Sequence, residues 1–415
     1  MERLHPDQRR LLQRAGVTGR RIEGRSNRQR PAGREGPAAA GRGLTTTRSQ
    51  SGPVSGTLPV FPWDTLADAT AKARAHLDGI VDLSVGTPVD EVAPVIRHAL
   101  AAASGEPGYP TTAGTSALRA SATSALRRRY GITDVADDAV LPVIGTKELI
   151  AWLPTLLGLG PDDVVVVPEL AYPTYDVGAR LARAQVLRAD SLTQLGPQTP
   201  KLVFLNSPSN PTGAVLGVEH LRKVVGWARD RGVLIASDEC YLGLGWEAEP
   251  VSVLHPSVCD GDHTGLLAVH SLSKTSSLAG YRAGFVAGDP AVVAELLAVR
   301  KHAGMMVPTP VQAAMIAALD DDPHELEQKE RYARRRVSLL RAVRDAGFTV
   351  DNSEAGLYLW ATRGEPCRDT VAWLAERGIL VAPGDFYGPR GADYVRMALT
   401  ATDERIDAAV HRLST

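Results

Sequence analysis

From Leu58 onward, short runs of apolar, β-branched residues alternate with longer stretches in which apolar positions recur every three or four residues. The runs fit strands buried on both faces, and the longer stretches fit helices with one apolar stripe. Strands are predicted at Val164–Val167, Leu202–Leu205, Val233–Ser237, Leu266–His270 and Ala283–Ala287, with helices such as Leu118–Arg129 and Val218–Arg231 between several of them. This alternation predicts an α/β fold with a mostly parallel sheet covered by helices. After Pro290 helical patterns take over, notably Pro323–Ala346, which Gly347 ends. Two shorter strand patterns, Gly356–Ala361 and Tyr394–Leu399, flank a helix at Arg368–Arg377 and predict a smaller α+β domain. No internal repeat is present.

Length and composition refine this picture. A chain of 415 residues is too long for one compact core and suits one large and one small domain. The expected division is an extension over 1–57, the N-terminal part of the small domain over 58–100, the large domain over 101–312, and the rest of the small domain over 313–415. Residues 1–50 hold 12 Arg against four acids and lack periodicity, so they cannot bury enough apolar surface to offset their ordering entropy. They read as a disordered Arg-rich extension; a nucleic-acid arm or a transit peptide also suits that composition. The whole chain carries a net charge of only −1, which gives no electrostatic reason to expect a nucleic-acid partner. No apolar run is long enough to span a membrane. Cys240, Cys259 and Cys367 lack metal-ligand spacing and are too few for a disulfide framework, so neither a metal site nor an oxidising compartment is expected. A cytoplasmic location fits.

Candidate chemistry collects where predicted strands end, the place at which open α/β sheets bind ligands. In His270-Ser-Leu-Ser-Lys-Thr-Ser-Ser-Leu-Ala-Gly-Tyr-Arg-Ala-Gly284 a single lysine, Lys274, follows a buried strand among small and hydroxylic residues. A partly desolvated amine near other cations loses its proton easily and becomes nucleophilic. Ser271, Ser273 and Arg282 supply donors suited to a phosphate. Alone, such a lysine is an ordinary solvated loop residue. Its companions are Asn206-Ser-Pro-Ser-Asn-Pro-Thr-Gly213 and Ser237-Asp-Glu-Cys-Tyr241, each at a strand end. Asp238 in the latter either caps the next helix or pairs with a buried cation.

Taken together, these motifs from about residue 58 to the end resemble the class I/II aminotransferases, enzymes of fold type I that depend on pyridoxal 5′-phosphate (PLP). The resemblance implies a large domain built on a mostly parallel seven-stranded sheet plus a smaller α+β domain. It makes Lys274 the lysine that carries the cofactor and moves the substrate proton. Asp238 then pairs with the pyridine nitrogen and keeps the ring an electron sink. By the same resemblance Asn210 and Tyr241 donate to the phenolic oxygen, and Tyr172 stacks on the ring. Gly145, Thr146 and Lys147 open a helix whose N-terminus cradles the phosphate beside Ser271, Ser273 and Arg282. Tyr109 is implied to reach the phosphate of a second subunit, hence a homodimer with shared sites. Arg396 is implied to clamp the substrate α-carboxylate, with Gly86 making a backbone contact opposite.

A closer resemblance is to actinobacterial succinyldiaminopimelate aminotransferases of lysine biosynthesis. It rests on Leu58-Pro-Val-Phe-Pro-Trp-Asp-Thr-Leu66, Asp82-Leu-Ser-Val-Gly-Thr-Pro-Val89 and Arg300-Lys-His-Ala-Gly-Met-Met-Val-Pro308. It implies glutamate as donor and N-succinyl-2-amino-6-oxopimelate as acceptor. A cation for the distal carboxylates would be sought in Arg300, Lys301 or His302. Aspartate or aromatic aminotransferases, and PLP-dependent β-lyases, share the cofactor residues and remain the alternatives.

Overall fold

The computed structural model of the protein describes residues 54–414. Nearly all of the Arg-rich extension, and with it the expectation of disorder there, lies outside the described residues. No described helix is long and apolar enough to cross a membrane. The described residues contain no cluster of His, Cys, Asp or Glu able to hold a metal ion.

The central sheet has seven strands in the spatial order Val140–Ile144, Ala283–Gly288, Leu266–Ser271, Leu234–Asp238, Leu202–Asn206, Val164–Val167 and Gln185–Arg188. All pair in parallel except Ala283–Gly288, which runs antiparallel to both neighbours. Val140–Ile144 contains Pro142 and occupies an edge, where a missing N–H breaks no central ladder.

Strand alternation feeds two cores. Val203, Leu205, Ile235, Leu266 and Ala268 face one core with the helices Ser116–Tyr130, Val218–Arg229 and Thr309–Asp320. Leu202, Phe204, Ala236, Leu267 and Val269 face the other with Thr146–Leu156, Thr174–Leu181 and Pro290–Ala303. Burial on both faces is why these strands read as unbroken apolar runs.

A second, antiparallel sheet of four short strands has the order Ala382–Pro383, Val395–Ala398, Tyr358–Thr362 and Thr349–Asp351. Residues of Asp322–Asp345 and Asp403–Leu413 pack with it in a third core. Val81–Asp82 joins this part by pairing in parallel with Ile379–Leu380. The helix Pro94–Ala102, by contrast, buries Ile96 in the core that also receives Ala314, Met315 and Ala318 of Thr309–Asp320. Gly347 adopts a φ of +87° where the long helix stops, a conformation open to glycine at little steric cost.

Candidate active site

The C-terminal ends of the parallel strands open on a cavity of about 710 Å³. Gly86, Thr146, Lys147, Tyr172, Asn210, Asp238, Tyr241, Ser271, Ser273, Lys274, Arg282 and Arg396 all line it. Residues separated by more than 300 positions in sequence thus share one space. Tyr109 does not line it, and its side chain is fully exposed.

At the floor, Asp238 closes the strand Leu234–Asp238 and is 6% exposed. Tyr175 Oη donates to its Oδ2 at 2.7 Å, and Cys240 N–H donates to its Oδ1 at 3.2 Å. Among the described residues no Lys, Arg or His forms an ion pair with it. Burial therefore pushes its carboxyl above the ordinary value, against those hydrogen bonds. A carboxylate held at a cavity without a cation is a site for a cationic group from a ligand.

Lys274 reaches the same space, and its ammonium donates to Gly86 O. Tyr332 Oη fixes the backbone by donating to Lys274 O at 3.1 Å. Burial lowers the amine's affinity for its proton; Tyr358 and Cys240 oppose this, while the nearby cations Arg396 and Arg282 add to it, and the net shift is downward. Its free base is thus more accessible than that of a surface lysine.

Gly145 caps the helix Thr146–Leu156, whose first N–H groups are unpaired within the helix. Arg282 packs against this turn so closely that a Cβ on Gly145 would lie 2.2 Å from its guanidinium. Neither Arg282 nor Lys147 pairs with a carboxylate among the described residues. Lys147 is destabilised as a cation first by burial and then by Arg282. Two cations, a helix N-terminus and the hydroxyls of Ser271 and Ser273 form a cradle for a dianion.

Arg396, which also lines the cavity and is 2% exposed, donates to Asn210 Oδ1 at 2.8 Å and to Ser84 O at 2.7 Å. Its guanidinium lies over the Tyr358 ring, 3.9 Å from the centroid, while its Nε has no partner. It forms no ion pair among the described residues. A buried guanidinium without a carboxylate calls for one from a ligand. Asn210 keeps its amide nitrogen as a donor, since Arg396 uses the oxygen.

Sequence reasoning missed Tyr358 and Tyr175. The Tyr358 hydroxyl lies 3.0 Å from that of Tyr241. Burial opposes its ionisation, yet Arg396 and Lys274 outweigh burial and hold its phenol below the ordinary value. Its role depends on the antiparallel pairing of Tyr358–Thr362 with Val395–Ala398, which no local signal announces. Tyr175 follows Tyr172 by three positions, in the first turn of Thr174–Leu181. Phe61 and Trp63 also line the cavity, with ring centroids 5.6 Å apart.

One expectation is corrected. Arg300, Lys301 and His302 do not line the cavity, and Arg300 is wholly buried in a bidentate pair with Glu148 at 2.8 and 3.0 Å. It anchors the helix Pro290–Ala303 to the helix Thr146–Leu156 and presents no donor to the cavity.

Gly86 invites a direct test, since a Cβ there would stand 2.3 Å from Tyr358 Oη and 2.9 Å from its ring. Gly86→Ala is expected to lower kcat/KM by about 10–100-fold, the kinetic equivalent of a packing clash of about 1–3 kcal/mol. Unchanged steady-state kinetics would show that Tyr358 need not hold its place.

Comparison with known proteins bears on this geometry. The family model "Aminotransferase class I and II" matches residues 78–413. The chain belongs to this family. It is accordingly a transferase of nitrogenous groups, and its family and fold are PLP-dependent. This aminotransferase is 75% identical, over the full length of both chains, to "Probable aminotransferase Rv1178" of Mycobacterium tuberculosis. It is 60% identical to the 4-dedimethylamino-4-oxo-anhydrotetracycline transaminase OxyQ of Streptomyces rimosus, over 86% of this chain and 99% of the relative. A solved structure from Thermus thermophilus, described as a "probable N-succinyldiaminopimelate aminotransferase", superposes with a TM-score of 0.77 at 29% identity. That match covers 85% of the aminotransferase and 99% of the solved chain. The site chemistry fits PLP: a dianion cradle, a cation-seeking carboxylate and an amine lie around one cavity.

Proposed function

We propose that Lys274 is the cofactor-bearing and proton-transferring lysine of an aminotransferase that passes the amino group of glutamate to N-succinyl-2-amino-6-oxopimelate. The observation that carries the site assignment is the buried Arg396, which has no carboxylate partner and shares the cavity with Lys274 and Asp238. When bound, PLP supplies an electron sink for the electron pair left at the substrate α-carbon.

The protein's residues do the rest. Gly145, Thr146, Lys147, Ser271, Ser273 and Arg282 hold the phosphate, and Asp238 keeps the pyridine nitrogen protonated. Tyr175 steadies Asp238 from below. Asn210 and Tyr241 donate to the phenolic oxygen, while Tyr172 covers the ring. Arg396 binds the α-carboxylate and Gly86 closes the opposite side. Lys274 Nζ would take the proton from the α-carbon of the amino donor and, in the reverse half-reaction, deliver one to the α-carbon of the acceptor. Two subunits complete two sites, each receiving the partner's Tyr109. The parts around the seven-stranded and four-stranded sheets serve as the large, PLP-binding domain and the small domain.

The acceptor follows from the segments that resemble succinyldiaminopimelate aminotransferases, and the Thermus thermophilus likeness supports it. A second reading rests on the 60% identity to a transaminase named for a tetracycline precursor, together with the aromatic wall of Phe61 and Trp63. That reading takes a bulky polycyclic ketone as acceptor.

Absorbance spectroscopy of the PLP-loaded protein separates these readings. Glutamate should shift the cofactor band to shorter wavelength, and N-succinyl-2-amino-6-oxopimelate should restore it. Restoration only by an aromatic ketone would favour the second reading. Pyruvate release without an oxo-acid acceptor would indicate a β-lyase. Absence of any cofactor band after PLP addition would remove the assignment of Lys274.

A further inference from the structure

The strands that present the site on one face of the large sheet carry a second polar cluster on the other. Alternation turns Asp238 and Ser271 towards the active site and turns His270, with Glu239 just past its strand, towards the opposite core. Glu239 and His270 are 2% and 6% exposed. Glu239 Oε1 accepts from Val253 N–H at 2.8 Å. Its Oε2 and His270 Nε2 have no hydrogen-bond partner. These two atoms stand 3.7 Å apart, too far for a good direct hydrogen bond.

Both residues border a small cavity of about 20 Å³. A water needs about 10–15 Å³ and at least two polar partners, and this space offers both. Tyr130 and Phe285 flank the imidazole with ring centroids 6.2 and 5.1 Å away, so the histidine has little freedom to turn elsewhere.

We propose that Glu239 and His270 bind one water in this cavity, share a single proton through it, and act from behind the sheet as positioning residues on the charge of Asp238. This rests on the reading of Asp238 as the partner of the pyridine nitrogen. Burial raises Glu239 to about 7 and lowers His270 to about 3, so near neutrality the shared proton is carried by Glu239. Above that point the proton leaves, and a negative charge appears one residue from Asp238. The other charged neighbours of the cavity are self-compensating or fixed. Arg129 pairs with Glu325, and burial holds the Tyr130 phenol and the Cys240 thiol protonated. Ser237 and Ser252, which favour the Glu239 carboxylate against burial, are neutral. Glu239 is therefore the group whose charge changes in the working range.

A negative charge beside Asp238 favours retention of protons on the cofactor–lysine unit. The pH midpoint of the bound cofactor's absorbance should thus be higher in the unaltered holoenzyme than in Glu239→Gln. The expected difference is up to about one pH unit, as for charges several ångströms apart in an effective dielectric of about 20. Gln keeps the acceptor for Val253, and thermal melting checks that the variant folds. Coincident titrations in a folded Glu239→Gln protein would overturn the proposal.

A second measurement needs no substitution at Glu239. In the ¹⁵N-histidine-labelled holoenzyme, the His270 Nε2 resonance should move between pH 6 and 8 while the ring stays neutral, with His270→Gln identifying the signal. A resonance that stays fixed across that interval would equally overturn it. Loss of any cofactor band would instead count against the underlying site assignment.

Discussion

Lys274→Ala should fold and bind PLP but lose about 10⁴-fold or more in kcat, at or beyond the upper range for removing a positioned acid–base group. Lys274 is asked both to bear the cofactor and to move the α-proton, so its removal deletes two functions at once. The proposed phosphate cradle of Gly145, Thr146, Lys147, Ser271, Ser273 and Arg282 is untouched by the change, which is why cofactor binding should survive. Single-turnover spectra with glutamate separate the two losses, because substrate can still bind while proton transfer stalls. Lys274→Arg makes the sharper comparison. It keeps the positive charge but cannot give up its proton near neutral pH, so it should be as slow as alanine. Turnover within tenfold of the unaltered enzyme in either variant would mean that another base serves.

Arg396→Ala is the second large effect, with kcat/KM for glutamate expected to fall by about 10²–10⁴-fold, as when one partner of a buried charge pair costs 2–5 kcal/mol or more. The guanidinium is buried over Tyr358 and held by Asn210 and Ser84 O. A substrate carboxylate would complete its bonding without the cost of ordering a mobile side chain. Arg396→Lys should recover little, because an ammonium cannot make two parallel bonds to a carboxylate while donating to Asn210 and Ser84. The same deficit should appear for the oxo-acid acceptor, since both substrates carry the α-carboxylate. A deficit confined to one of them would place the clamp elsewhere.

Lys274 and Arg396 are both legible in the sequence, and the strand ends show the physical reason. Each of the strands predicted at Leu202–Leu205, Val233–Ser237 and Leu266–His270 continues one residue further, to Asn206, Asp238 and Ser271. The predicted strands stop one residue short of these polar side chains, whereas the backbone ladder carries on through Asn206↔Asp238, Asp238↔Val269 and Ser271↔Gly284. Polar residues at the close of a buried strand are thus both the limit of the hydrophobic signal and the first groups exposed to the ligand crevice.

Arg300 illustrates the opposite case. A basic residue at a helix end in sequence is ordinarily solvated, yet here it is fully buried against Glu148, 152 residues away. No periodicity distinguishes that outcome from an exposed distal-carboxylate reader.

What the sequence alone determined was the α/β class, the strand-end motifs and the identity of the chemical groups, because local periodicity and residue type carry that information. What only the tertiary structure decided was which of those groups meet. Arg396 reaches Asn210 across 186 positions and Ser84 O across 312, and Tyr175 reaches Asp238 across 63. Those meetings depend on how separate sheets and loops pack around one cavity, and packing is a property of the whole chain rather than of any segment.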